Sequence, residues 1–186
     1  MKYVATIGFF DGVHLGHQQV IHRLRALAAS KGMKTMVVTF GNHPLEVVRP
    51  DFVPQLLTNA DEKVRRLKAC GVDEVVVLNF TREMMQQTAY DFMKDVLRDR
   101  LGVGTLLIGY DNRFGRRNPE DSFLSYVEYG SQLGIDVQEG PRPEECGLFE
   151  NAPISSSLIR RLIGEGRVND ALSLMELRGE MGPYAL

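Results

Sequence analysis

No run of about 18 or more apolar residues occurs in this 186-residue chain, so no membrane-spanning helix is expected. The opening MKYVATIG lacks the long apolar stretch and small-residue cleavage site of a secretory leader. Cysteine is scarce. Cys70 and Cys146 allow at most one disulfide, and reduced thiols in a cytoplasmic protein are the expectation. Positive charge is not in excess either: 22 Lys and Arg against 24 Asp and Glu leave a net charge of −2. That balance argues against a general nucleic-acid binder. Local basic clusters do occur, at Arg113, Arg116 and Arg117 and at Arg160, Arg161 and Arg167. Three familiar signatures are missing: the G-x-x-x-x-G-K-[ST] phosphate loop, the G-x-G-x-x-G dinucleotide fingerprint and the H-E-x-x-H zinc motif. There is no internal repeat and no low-complexity segment.

What the chain does contain is a regular alternation of strand and helix patterns. KYVATIG reads as a buried first strand. GHQQVIHRLRALAASKG then places Val20, Leu24, Leu27 and Ala28 on one helical face and stops at Gly32. KTMVVTF is a second strand. GNHPLEVVRPDFVPQLL, with three prolines, reads as a loop. Thr58 and Asp61 open the next helix, and Cys70-Gly71 closes it. DEVVVLNF is a third strand, and Thr88 and Asp91 open a helix that ends near Leu101-Gly102. GTLLIG is the fourth strand, DSFLSYVEYGSQLG a helix, IDVQEG the fifth strand and PRPEECG a loop. Two short helices, 155–164 and 167–176, complete the chain. Strands separated by helices of this length predict an α/β domain over 1–186, with a parallel sheet, helices on both faces and a small helical segment at the C-terminal end. Such sheets bind ligands at the carboxyl ends of their strands, where strand order reverses.

The first strand-to-helix junction carries the chemistry. It reads ATIGFFDGVHLGHQQVI. Gly8 ends the strand, where a missing Cβ lets a ligand approach the backbone. Gly12 suits a tight turn. His14 and His17 lie three residues apart at the start of the helix, where unpaired N–H groups and the helix dipole favour an anion. Two imidazoles there could donate hydrogen bonds to phosphate. The same spacing also fits a metal pair, although zinc usually wants three or four ligands, or two ordinary residues of a helix surface. Far downstream lies ISSSLIR, preceded by Pro153. Ser155 is the natural N-cap, and Ser157 and Arg160 share a face near that helix N-terminus. A hydroxyl and a guanidinium fork suit a polyphosphate tail; simple capping beside a solvated arginine is the alternative.

Taken together, these motifs resemble a known family. GFFDGVHLGH is similar to the T/HxGH signature of nucleotidylyltransferases in its flavin-specific form, and ISSSLIR to the same superfamily's ISSTxIR element. TFGNHP (39–44), LLTNADEKVRRL (56–67) and GYDNRFG (109–115) follow the pattern of the FMN adenylyltransferase module of bacterial FAD synthetases, in the expected order. The resemblance implies a Rossmann-like fold of the HUP nucleotidylyltransferase type with a five-stranded parallel sheet. It implies adenylyl transfer from ATP to FMN, with Mg²⁺ carried on the substrates and no nucleic-acid or membrane partner. His14 and His17 would then contact the ATP phosphates, with Gly8, Phe9, Asp11, Gly12, Gly109, Asp111 and Ile154 lining the nucleotide pocket. Ser157 and Arg160 would hold the β- and γ-phosphates. Asn42, His43 and Pro44 would border the flavin, with Asp111 and Phe114 near both substrates. Asn42 stands where the pattern has proline, which implies a looser loop; Asn112 stands for an aromatic, and Ser157 for threonine. LRGEMGPYAL (177–186) resembles the start of a linker into a riboflavin kinase module. A related transferase with another phosphorylated acceptor, or a non-catalytic nucleotide or flavin binder, would share much of this pattern.

Overall fold

The computed structural model describes residues 2–49, 51–109, 114–116 and 122–178. Five strands, β1 (Tyr3–Ile7), β2 (Lys34–Phe40), β3 (Glu74–Leu78), β4 (Val103–Ile108) and β5 (Asp136–Glu139), form one sheet in the order β3-β2-β1-β4-β5. Every pairing in it is parallel. The chain moves outward from β1 through β2 to β3, then returns to the other side of β1 as β4. The reversal therefore falls between β1 and β4, at the loops that carry Gly8 to Val13 and Gly109.

Both faces of the sheet are covered, and the strand period of two decides which residue goes where. Val4, Val37 and Leu107 join Ile21, Leu24, Leu27 and Ala28 of α1 (Leu15–Lys31) and Leu67 of α3 (Ala60–Ala69) in one core. On the other face Ala5, Ile7, Met36, Val38, Leu106 and Ile108 pack with Phe92, Met93 and Leu97 and with Tyr126 and Leu133 of α6 (Phe123–Leu133). Near-continuous apolar strands are what a sheet buried on both sides requires. A third cluster joins Leu15, at the start of α1, to Leu158, Ile159 and Leu162 of α7 (Ser156–Gly164) and Ala171 and Leu174 of α8 (Val168–Met175).

The structure departs from the sequence expectation in several places. The proline-rich stretch after β2 is not all loop. Pro44–Val48 forms a helical turn, α2, because His43 caps it and Pro44 occupies the first helical position, where a missing N–H costs nothing. The cap of α3 is Asn59, which accepts from the Glu62 N–H at 2.8 Å, not Thr58; Thr58 is used elsewhere, as described below. A further short helix, α4 (Arg82–Gln86), precedes the Thr88-capped turn α5 (Ala89–Asp91), which runs straight into a π-helix over Phe92–Arg100. PRPEECG includes a 3₁₀ turn at Pro143–Cys146, and Leu148–Phe149 (β6) pairs antiparallel with Ala152–Pro153 (β7). This hairpin delivers the chain to Ser155, the N-cap of α7, which accepts from the Leu158 N–H at 3.2 Å.

Candidate functional site

The segment after β1 is a turn of unusual backbone. Phe10, Gly12 and Val13 all have positive φ, at 53°, 80° and 44°. Only glycine adopts this freely, and for a β-branched residue such as Val13 it is an outlier that its surroundings must enforce. The turn ends at His14, the N-cap of α1. Its Nδ1 accepts the His17 N–H at 3.3 Å. That bond fixes the tautomer: the His14 proton sits on Nε2, which is left as a donor. The two rings stack, with centroids 3.6 Å apart and planes 18° from parallel. The two imidazoles thus lie together through a cap and a stack.

Burial keeps both rings neutral. It lowers the His14 pKa from 6.5 to about 4, with Asp11 opposing and Arg160 adding to the shift. His17 is pushed well below its usual range, again by burial first, then by His14 and Lys63. Its Nδ1 is shut off from solvent and has no hydrogen-bond partner among the described residues. A stability consequence follows. The unfolded chain binds a proton at position 14 near pH 6.5 and the folded chain only near 4, so stability is full above 6.5 and is lost as pH falls toward 4. From His14 alone the loss between pH 7 and pH 5 is about 2 kcal/mol. In denaturant titrations at the two pH values, the gap between wild type and His14→Asn should shift against wild type by that amount on acidification. A pH-independent gap would contradict it.

Asp11 ties the turn to two distant segments. Its carboxylate, 3% exposed, accepts from the Leu57 N–H (3.0 and 3.1 Å), the Thr58 N–H (3.1 Å), the Thr58 hydroxyl (3.4 Å) and Nη2 of Arg160. Arg160 also donates Nε to the Gln55 carbonyl at 2.6 Å. Thr58 Oγ1 in turn accepts the Gly12 N–H at 3.0 Å. The Asp11 carbonyl accepts the Ser156 hydroxyl at 3.0 Å. Gly16 completes the convergence: a Cβ there would lie 2.9 Å from the Ile154 carbonyl and 3.2 Å from the His14 ring. The early glycine–histidine turn and the late serine–arginine helix thus share one wall, and Ser157 is exposed beside them.

The other candidates divide into two groups. His43 meets the turn through the edge of Phe9, with ring centroids 4.9 Å apart, and Phe52 lies against its other side at 5.3 Å. Its Nδ1 accepts the Leu45 N–H and its own N–H donates to Glu46, which caps α2 and seats Pro44. Asn42 does not loosen its loop, contrary to expectation. Its amide donates to the Phe80 carbonyl (3.0 Å) and accepts the Phe80 N–H (2.8 Å), pinning the end of β2 to the segment after β3. Phe114 sits apart, packed between Phe92 and Tyr126, whose hydroxyl donates to its carbonyl at 3.1 Å. Gly109 directly follows β4. Asp111, with Asn112, lies outside the described residues.

Sequence reading missed Lys63. This lysine of α3 is 3% exposed, and its ammonium donates to the carbonyls of Phe9 (3.0 Å) and Phe40 (2.7 Å) while sitting 4.0 Å over the Phe9 ring. Thr39 also donates to the Phe9 carbonyl. Burial pulls the lysine pKa down to about 8, and Asp11 pushes it back up. The side chain therefore carries positive charge at pH 7, between the ends of β1 and β2. The only trace in sequence was a charged residue four positions before Leu67, on the face of α3 that is buried.

A family model described as FAD synthetase matches residues 1–157. The bifunctional riboflavin kinase/FMN adenylyltransferase of Escherichia coli (strain K12) is 36% identical over 172 residues, covering 92% of this chain and 53% of the relative. The protein of the same description from Buchnera aphidicola subsp. Acyrthosiphon pisum is 32% identical over 174 residues, with 92% and 53% covered. The chain thus spans about half the length of the curated relatives it matches. Among solved structures, that of a macrolide-efflux protein from Streptococcus pneumoniae superposes with a TM-score of 0.80 at 26% identity, over 94% of this chain and 56% of that one. No helix among the described residues is long and apolar enough to cross a membrane.

Proposed function

The chain belongs to the FAD synthetase family, and from that premise we propose that it transfers the adenylyl group of ATP to FMN, giving FAD and pyrophosphate. One observation carries the reading: Asp11 bonds Arg160 and Ser156, so the histidine turn and the serine–arginine helix form a single wall at the carboxyl ends of β1 and β2.

In this reading a phosphate oxygen of FMN attacks the α-phosphorus of ATP. A P–O bond forms to FMN, the bond from the α-phosphorus to the bridging oxygen breaks, and pyrophosphate leaves with that electron pair. A phosphomonoester has its second pKa near 6, so the nucleophile is already largely dianionic at pH 7. No protein base is needed, which suits a site whose histidines are both neutral. The work is positioning and stabilisation of charge. His14 donates from Nε2, and His17 braces the ring from which it does so. The N–H groups at the start of α1 face the same anion. Lys63 supplies a fixed charge behind Phe9. Ser157 and Arg160 take the departing β- and γ-phosphates, for which Arg160 exchanges its hold on Asp11. By the family resemblance Gly8, Phe9, Gly12, Gly109 and Ile154 would border the nucleotide, His43, Asn42 and Pro44 the flavin, and Asp111 and Phe114 both substrates, although Phe114 packs against Phe92 and Tyr126 here.

Mg²⁺ bound to the triphosphate would neutralise charge on the leaving group. Among the described residues no group of three or more His, Cys, Asp or Glu is placed to hold a metal ion, and Asp11 is saturated by its donors. The donor set accordingly fits a cation carried in on substrate oxygens and water.

The test is a direct one. Purified chain, ATP, Mg²⁺ and FMN should yield FAD, resolved by chromatography, together with one pyrophosphate per FAD. Nicotinamide mononucleotide and phosphopantetheine in place of FMN should give no adenylylated product. Binding of ATP and FMN without FAD formation would leave a non-catalytic module, and turnover with either other acceptor would reassign the substrate.

A further inference from the structure

We infer that Gln18 and Arg66 are positioning residues for the nucleotide turn, acting by strapping the segment Met175–Arg178 across it. The inference rests on the nucleotide-binding reading of that turn given above.

Gln18 lies one helical turn beyond His14 and is 3% exposed. Its Nε2 donates to the Val13 carbonyl (3.1 Å) and the Glu176 carbonyl (2.9 Å), and its Oε1 accepts the Arg178 N–H (3.2 Å). Both amide hydrogens are thereby used. Arg66, on α3, does the same from the other side. Its Nε donates to the Gly12 carbonyl at 3.2 Å and its Nη2 to the Met175 carbonyl. Two side chains from two helices thus each bridge one carbonyl of the adjacent pair Gly12–Val13 to one of the adjacent pair Met175–Glu176. Met175 also closes on the turn: its methyl lies 3.3 Å from where a Cβ on Gly12 would stand.

The pattern is more than packing, because of what the carbonyls control. A peptide unit is planar, so a fixed C=O fixes the N–H of the next residue. Holding Val13 C=O aims the His14 N–H, one of the donors at the start of α1, and holding Gly12 C=O keeps the Val13 N–H on the Phe10 carbonyl (3.2 Å), which closes the turn. The positive φ of Val13 is not a conformation that valine holds unaided. Neither Gln18 nor Arg66 is required to touch ATP. Each keeps in place the backbone that does, and the tail after α8 is the third part of the device.

Steady-state kinetics of the full chain with each substrate varied test this. Gln18→Met, of similar volume but without the amide, should raise KM for ATP about tenfold, the scale of one net hydrogen bond, and leave KM for FMN within about twofold. Arg66→Lys keeps the charge but cannot span both carbonyls, and should shift ATP in the same direction. Arg178→Pro removes the N–H that Gln18 accepts together with an exposed side chain; Arg178→Ala measures the side-chain loss alone, and relative to it the proline variant should raise KM for ATP about threefold. That increment should vanish in a Gln18→Met background. If Gln18→Met fails to fold, the Arg66→Lys and Arg178→Pro variants decide. Wild-type KM for ATP in both, or equal rises for ATP and FMN, overturns the inference. Titration of ATP binding reads the same strap without turnover. A chain that makes no FAD but binds ATP more weakly as Arg178→Pro therefore refutes the catalytic reading and not this one.

Discussion

Alanine at position 17 is expected to lower FAD formation by ~10²–10³ at saturating ATP and FMN, with little change in melting temperature. His17 stacks on His14, and its backbone N–H, which bonds His14 Nδ1, survives the substitution. The N-cap and the tautomer of His14 are therefore retained, while the ring that braces His14 is lost. A loss at saturating substrate is the signature of stabilisation that His14 delivers in the transition state when His17 holds it, rather than of weaker ground-state binding. Position 17 is a cleaner probe than position 160, because removing Arg160 also strips Asp11 of a partner. Wild-type turnover in His17→Ala, measured by FAD produced per second on folded protein, would remove His17 from the mechanism.

The largest stability effect is expected at Asp11. Asp11→Ala should cost about 3–5 kcal/mol, because it leaves the partly buried Arg160 without its counter-ion and the Leu57 and Thr58 N–H groups without an acceptor. For a chain of this size that is a fall in melting temperature of about 10 °C or more. Asp11→Asn keeps one carbonyl oxygen for the 57–58 amides and should lose less. Calorimetry of the three proteins side by side settles the matter. A drop below about 3 °C for the alanine variant would mean that the carboxylate is not what joins these three segments.

The fold was legible because its signals are local and periodic. The apolar runs in KTMVVTF and GTLLIG read as strands because they are short and flanked by helices, and Gly32 ends its helix in the left-handed conformation that its sequence position suggested. The meeting of the two motifs was legible for a similar reason, as His14, His17, Ser155 and Arg160 lie in or beside the first turns of α1 and α7, which their own residue types help to define. What stayed hidden depends on partners far along the chain. Asn42 gains its rigidity from Phe80, Thr58 is diverted from capping by Gly12, and Gln18 looks like any polar helix residue until Glu176 and Arg178 return to meet it. No window of sequence contains both halves of such a contact. Short polar caps misled in the same way: Thr58 and Asn59 are equally plausible, and only the position of Asp11 decides between them.

Lys63 has a consequence that reaches beyond geometry. A chain with a net charge of −2 gives no general long-range attraction to nucleotides and flavin phosphates that are themselves highly negative. The ammonium sealed beneath Phe9 works at short range instead, in a place that mobile counter-ions cannot enter. Its pull is accordingly of the kind that ordinary ionic strength screens least. In the proposed reaction, capture of the polyanion would then depend less on the salt around the protein than capture by a surface lysine would.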